Sequence, residues 1–470
     1  MTTRRRLAGV TVGLMLAVAC ASVGLAASAP AAAGSPFFKG FDENLFRSSD
    51  PQTRQRWFQE SVEAGANIVR IGASWRHVVV RNRQPANPRD PADPAYDFSL
   101  IDAQVIEARR LGLEVLLTSN GAPRWAEGEG RPGWAPPGTW KPDPVAFGAF
   151  GEALARRYSG SFVTESGTLP QVPYYEAWNE PNQDEFLAPQ WEHRQPFGPR
   201  HYRQMLNQFY AGVHTGNPAA RVMGPGTSPF GDPGRTASRM RPLLFLREVL
   251  CLKGRKSLED RGCSQPAQLD IVSHHPINFA GTHRDSALHP DDVTVPDMRE
   301  VRRTVRAAQR EGTLRPPGRK PMWVTELWWL TKPPSDAGVS AQQQATYLQG
   351  ALYELWRQGV KAVLWYQLAD DTEFPSGLFR SDGTPKPGLT AFRFPFVTRP
   401  AAGKRVTGWG IAPSSGQLSI ERKVGSGWRP VKTLAVGDGV PFRTEFRLKG
   451  SAKLRATIGG EHSLPSKQRR

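Results

Sequence analysis

From position 37 to about 400, short apolar runs alternate with amphipathic stretches. Runs at 37–42, 67–71, 114–118, 174–178, 221–225, 269–274, 320–326 and 362–367 predict eight β-strands. Between them, 54–64, 97–111, 144–158, 202–214, 243–250, 301–311 and 342–358 read as helices. In 97–111, Ile101, Val105 and Ala108 recur at helical spacing, which places them on one face. Strands that alternate with helices predict an α/β protein with a parallel sheet. Eight such units predict a (β/α)8 TIM barrel over 34–400, where chemistry stands at the C-terminal ends of the strands.

Beyond about Pro400 the pattern changes. Stretches 417–423, 431–436, 442–448 and 453–458 alternate apolar and polar residues, with Gly and Ser between them. They predict a small antiparallel β-domain over 401–470, sandwich-like, with a frayed tail from 465 to 470. The start differs again. Arg4, Arg5 and Arg6 precede an apolar run from Leu7 to Ala27, and Ala27-Ser28-Ala29 offers small residues for cleavage. Residues 1–33 therefore read as a signal peptide and short linker, and the protein as secreted or wall-associated. A twin-arginine signal and a lipoprotein anchor at Cys20 are the alternatives.

Two predicted strands end in glutamate. Trp178-Asn179-Glu180-Pro181 closes the fourth, and Pro181, which cannot donate to a ladder, stops it there. Trp323-Val324-Thr325-Glu326 closes the seventh, and the interval between the two glutamates leaves room for three βα units. These motifs resemble those of the retaining glycoside hydrolases built on (β/α)8 barrels. That clan includes family 5 cellulases and mannanases and family 39 xylosidases. The resemblance implies that Glu326 is the nucleophile, Glu180 the acid/base, and Asn179 the partner of the sugar 2-hydroxyl. It implies that Arg70, near the end of strand 2, is the cation beside Glu326. His275, before Pro276, matches a rim histidine, with His274 the alternative. Trp365 would floor the site, followed by a cis Trp365–Tyr366 bond. The chemistry needs two carboxyl groups and neither metal nor cofactor.

Trp125, Trp134 and Trp140 fall in one Gly/Pro-rich stretch after strand 3, and Trp328 and Trp329 follow Glu326. Amphipathic rings suit the C–H faces of sugars, so Trp125 and Trp328 join the expected substrate contacts. A poly- or oligosaccharide is the expected substrate. A non-catalytic carbohydrate-binding or adhesion protein on the same barrel is the other class.

Composition adds three points. Cys251 and Cys263 remain after cleavage and, in an oxidising space, read as a disulfide, with two free thiols as the alternative. The net charge is +18, and 401–470 alone hold 14 Lys/Arg against Glu421, Asp438, Glu445 and Glu461. A basic C-terminal unit favours an anionic cell-wall polymer as partner. No nucleic-acid motif is present, and the protein is expected to be a monomer.

Overall fold

The computed structural model describes residues 36–279 and 281–468; the expected leader at 1–33, with Cys20, lies outside them. Eight parallel strands close a barrel. They are β1 (Phe38–Asp42), β2 (Ile68–Gly72), β3 (Glu114–Ser119), β4 (Tyr174–Ala177), β5 (Arg221–Thr227), β6 (Ile271–His274), β7 (Met322–Leu327) and β8 (Val360–Tyr366). A helix follows each: α1 (Pro51–Glu63), α2 (Ser99–Arg110), α3 (Pro144–Arg157), α4 (Gly198–Gly216), α5 (Pro242–Val249), α6 (Met298–Arg310), α7 (Ala341–Arg357) and α8 (Pro387–Arg393). Closure is made by β1 on β8, from Phe38 opposite Ala362 to Asp42 opposite Tyr366.

Local chemistry sets the helix starts. Asp50 and Asp143 accept from the first free N–H groups of α1 and α3, each with Pro at the first position. Ser340 and Gln343 form a reciprocal capping box on α7. Helices α3 and α4 pack with their backbones almost touching, because a Cβ on Gly212 would overlap the Gly148 carbonyl.

The barrel interior is built in two levels by the two-residue period of the strands. Ile68, Leu116, Ile271, Trp323 and Leu364 form an apolar floor. The Trp323 ring lies 5.5 Å from Phe38 and 4.7 Å from Tyr174. Two residues further along the same strands stand Arg70, Thr118, Ser273, Thr325 and Tyr366, with Glu176 two beyond Tyr174. The upper level is therefore polar and opens on the rim at the C-terminal ends of the strands.

Two bulges adjust this level. Between β7 and β8, Val324 faces Val363 but Leu327 faces Trp365, so β7 carries one extra residue. That extra residue lets Thr325 and Glu326 both address the mouth. Between β5 and β6, Ser273 faces Pro225 and His274 faces Thr227. The skipped residue is Gly226, at φ +54, where a Cβ would lie 2.9 Å from Glu176 Oε1.

The C-terminal unit holds two antiparallel sheets. One is β9 (Phe396–Ala401), β10 (Arg405–Ile411) and β13 (Pro441–Arg447); the other contains β11 (Gly416–Val424), β12 (Gly427–Val436), β14 (Ala452–Ile458) and β15 (Ser466–Gln468). Phe396, Val406, Phe442 and Phe446 of the first share a cluster with Leu418, Ile420, Leu454 and Ala456 of the second. Three features differ from expectation. Strand β9 starts inside the stretch assigned to the barrel. Strand β10, whose Gly408 and Gly410 weaken the sequence signal, was not anticipated. Residues 466–468 pair with β14 instead of fraying.

This unit is welded to the barrel. Trp409 packs 5.4 Å from Tyr353 and 5.6 Å from Trp356 on α7, and it belongs with Ile411 to the barrel's outer core. Arg393 pairs with Glu461 at 2.6 Å, and the Phe37 N–H donates to the Gly439 carbonyl at 3.2 Å. Cys251 and Cys263 form a disulfide just after α5. No described helix is long and apolar enough to cross a membrane.

Candidate active site

Arg70 stands at the centre of the upper level, buried, with acids on three sides. Its Nη1 lies 2.7 Å from Asp42 Oδ2 and 3.6 Å from Glu326 Oε2, and its Nη2 2.9 Å from Glu176 Oε2. Burial alone would make this guanidinium a weaker base, but Glu176, Asp42 and Glu326 outweigh it and raise its proton affinity. The same cation works on Glu176. Burial raises that carboxyl, yet Arg70 and then His275 hold it below the usual carboxylate range.

Glu180 lies just past β4 in a backbone turn that few side chains adopt. Trp178 has φ +74 and Glu180 φ +41. The turn is fixed by the Trp178 N–H donating to the Ser119 carbonyl and the Glu180 N–H to that of Gly226. The Trp178 indole is buried and donates to the Phe186 carbonyl. Such backbone conformations persist only where surroundings over-determine them, and they gather at functional sites.

His275 joins the two glutamates. Its Nδ1 is 2.9 Å from Glu180 Oε1 and 3.7 Å from Glu326 Oε2. Oxygens of the two carboxylates come within 4.8 Å of one another. The hydrogen-bond chain assigns a proton here. Thr325 has one hydroxyl hydrogen, and Glu176 Oε1 takes it at 2.8 Å. Thr325 must then accept from His275 Nε2, 3.1 Å away. A neutral His275 therefore turns its Nδ1 lone pair to Glu180, and that contact needs a proton on one of the two. Burial lowers the affinity of His275 for a proton, but Glu326 and the bonded Glu180 more than offset this and raise it above 6.5.

Glu326 differs from Glu180. It receives the Trp328 indole N–H at 3.1 Å and faces Arg70. Burial and the neighbouring Glu180 push it up to about 7, while His275 and Arg70 pull it down. The Glu180 and Glu326 side chains are 12% and 17% exposed, enough for a substrate to reach them.

A cavity of about 480 Å³ opens beside Glu326, lined also by Asp42, Asn44, Arg70, Asn179 and Tyr366; Glu180 is not among its lining residues. Asn179 Oδ1 accepts from Arg70 Nη2 at 2.7 Å, which leaves the amide N–H groups for a ligand.

Of the residues singled out from sequence, Glu180, Glu326, Arg70, Asn179, His275 and Trp328 come together. Trp365 and Trp125 do not. Trp365 is fully buried on the outer face of β8, donating to the Ser376 carbonyl. The reason is parity: Leu364 points inward, so Tyr366 does too, and Trp365 points away. The non-proline cis bond is accordingly one residue later than expected, at Tyr366–Gln367. Trp125 packs edge-on against Trp75 at 5.7 Å, while Trp134, 59% exposed, is the open ring of that loop. His274 faces outward to Thr227 and the Val293 carbonyl.

Asp42, Glu176, Thr118 and Thr325 were not anticipated as site residues. Their signal was available, since an arginine inside a barrel demands counter-charges; Asp42 ends β1, and Glu176 shares the inward parity of Tyr174 on β4. Glu180, His275 and Glu326 are also the one described group of three donors close enough to hold a metal ion. The Arg70 guanidinium 3.6 Å from Glu326 already supplies positive charge and would repel a dication.

No family model and no curated protein matches the sequence. Solved structures do resemble the fold. A family 39 glycoside hydrolase from Bacteroides cellulosilyticus superposes with TM-score 0.53 at 18% identity, over 88% of this chain and 81% of that one. A glucosidase from Croceicoccus marinus gives 0.51 at 16%, over 86% and 82%. The family 39 enzyme from Xanthomonas axonopodis pv. citri gives 0.51 at 15%, over 88% and 93%. The chain thus shares its (β/α)8 fold with these glycoside hydrolases.

Proposed function

We propose that this protein is a secreted retaining β-glycoside hydrolase acting on a poly- or oligosaccharide, with Glu326 as nucleophile and Glu180 as acid/base. The observation that carries the reading is the approach of the two carboxylates to within 4.8 Å, bridged by His275. Retaining enzymes hold their carboxyls about 5–5.5 Å apart, whereas inverting ones leave about 6.5–9.5 Å for a water.

The assignment of roles follows from the partners. Arg70 and the Trp328 N–H stabilise Glu326 as an anion, as attack requires. Glu180 shares a proton with His275 and can pass it to the leaving oxygen. In the first step the Glu326 oxygen bonds to the anomeric carbon as the glycosidic C–O bond breaks, and the leaving oxygen takes the proton of Glu180. In the second, water gives a proton back to Glu180 and its oxygen to the anomeric carbon, freeing Glu326. Asn179 donates to the 2-hydroxyl, and Tyr366 takes the floor position. The complete acid pair speaks against a non-catalytic carbohydrate-binding barrel.

NMR of the first-formed anomer is the test. Retained configuration with full activity in chelator is expected; an inverted product, or activity lost to chelator, would overturn the reading. The basic unit at 396–468 serves as an anchor for an anionic wall polymer. If so, its attachment weakens with salt, and exchanging Arg429, Lys432 and Lys453 for Gln releases the protein without changing turnover. Unchanged attachment would remove the anchor.

A further inference from the structure

At the opposite end of the barrel, below the N-terminal ends of β7 and β8, lies a second cavity of about 190 Å³. Helix α6, the segment leading into β7 and the turn between α7 and β8 form its walls. Arg302, Arg306, Arg319, Lys320 and Lys361 line it, with no carboxylate among the lining residues. Arg302 is tethered by Nη1, which donates to the Gln358 carbonyl at 2.6 Å. A Cβ placed on Gly359 would lie 3.3 Å from Arg302 Nη1 and 3.9 Å from Arg319 Nη2. Two guanidinium groups thus converge on one bare glycine.

Elsewhere on these elements the arginines find acids. Arg303 pairs with Glu300 at 2.8 Å and Arg357 with Glu354 at 2.8 Å. Among the described residues, none of the five cavity cations forms an ion pair within 4.0 Å. Asp270 is the one carboxylate felt by Lys320, and it is already bonded to His214 at 3.0 Å and to the Val222 N–H at 2.9 Å. Burial first, and then Arg306 and Arg319, lower the proton affinity of Arg302. Folding has gathered like charges in a concave place, which costs free energy unless an anion joins them.

We propose that this cavity binds a phosphate-type oxyanion carrying two or more negative charges. Planar guanidinium forks and ammonium groups suit tetrahedral oxyanions, each fork offering two parallel N–H bonds. The volume equals about six waters at ~30 Å³ each, room for a phosphate or pyrophosphate and little more. Val305, Pro321 and Met322 add an apolar wall beside these charges. The site is on the far side of the barrel from Glu180 and Glu326, so its occupant is not the substrate.

Titration calorimetry of the full chain with inorganic pyrophosphate, at ionic strength matched with chloride, tests this. Saturable binding of one pyrophosphate is expected, with orthophosphate weaker. Arg306→Glu and Arg319→Glu, both exposed and unpaired, should each weaken it at least tenfold. Arg310→Glu, on the same helix outside the cavity, should leave it within twofold. Glu326→Gln should bind pyrophosphate as the parent does, whatever becomes of hydrolysis. Absence of saturable heat, or an equal loss in Arg310→Glu, overturns the site in favour of diffuse attraction.

Discussion

The state of each key side chain is set by the charged groups around it. Removing Glu326 as Ala should abolish hydrolysis of every glycoside, whereas Glu180→Ala should spare substrates whose leaving group needs no proton. Acid/base groups supply about 10²–10⁴-fold, so Glu180→Ala should lose about that on unactivated glycosides and far less on nitrophenyl ones. Equal losses on both substrates would refute the roles. The pH profile follows from the same pair. As the proposed nucleophile Glu326 must be an anion, and its carboxyl is raised to about 7, so kcat/KM should fall as pH drops through about 7. His275 pulls that carboxyl down, hence His275→Asn should move the acid limb to higher pH. A limb that stayed in place would show that His275 does not act on Glu326. The motif residues were legible in the sequence because each sits in a short string with a fixed place on a strand. Trp365 was misplaced by one residue because sequence shows an apolar strand but not which parity faces inward.

At the scale of elements, eight strands and most helices were legible from alternating patterns, with ends off by a few residues. The bulges were not, since an unpaired residue is a relation between two strands and leaves no local signature. Gly226 makes one of them possible. Ala there would meet Glu176 Oε1 at 2.9 Å and sit at a positive φ. Gly226→Ala should therefore cut kcat through Arg70 and His275 while the fold persists, seen as lost turnover with an unchanged circular dichroism spectrum. The crossing of α3 and α4 makes a stricter demand. Gly212→Val would force the helices apart, with an overpacking loss on the order of 3 kcal/mol. Thermal melting should show a drop of roughly 3–4 °C, because the midpoint shift per kcal/mol shrinks as more residues unfold together. An unchanged melting temperature would mean that the helices can separate freely.

At the scale of the whole molecule, the C-terminal unit has its own apolar cluster and is also joined to the barrel by buried contacts. A cut at 400 removes Trp409 from Tyr353 and Trp356, and Glu461 from Arg393. The barrel alone should therefore melt lower and expose apolar surface on α7, measurable as increased dye binding. A cut chain as stable as the parent would show that the packing contributes nothing. The charge pattern suggested a separable appendage; the buried Trp409 was invisible to it, because a single aromatic among glycines gives no periodicity.

Closure of the barrel also dictates a timetable. Strand β1 has no partner on one edge until Ala362 to Tyr366 arrive, and the Phe37 N–H waits for Gly439. A nascent chain thus emerges with its first strand unpaired along one side for most of its synthesis. Contacts so distant in sequence form late and slowly, and an open strand edge invites association with other chains. Premature termination anywhere before residue 360 leaves a sheet that cannot become a barrel.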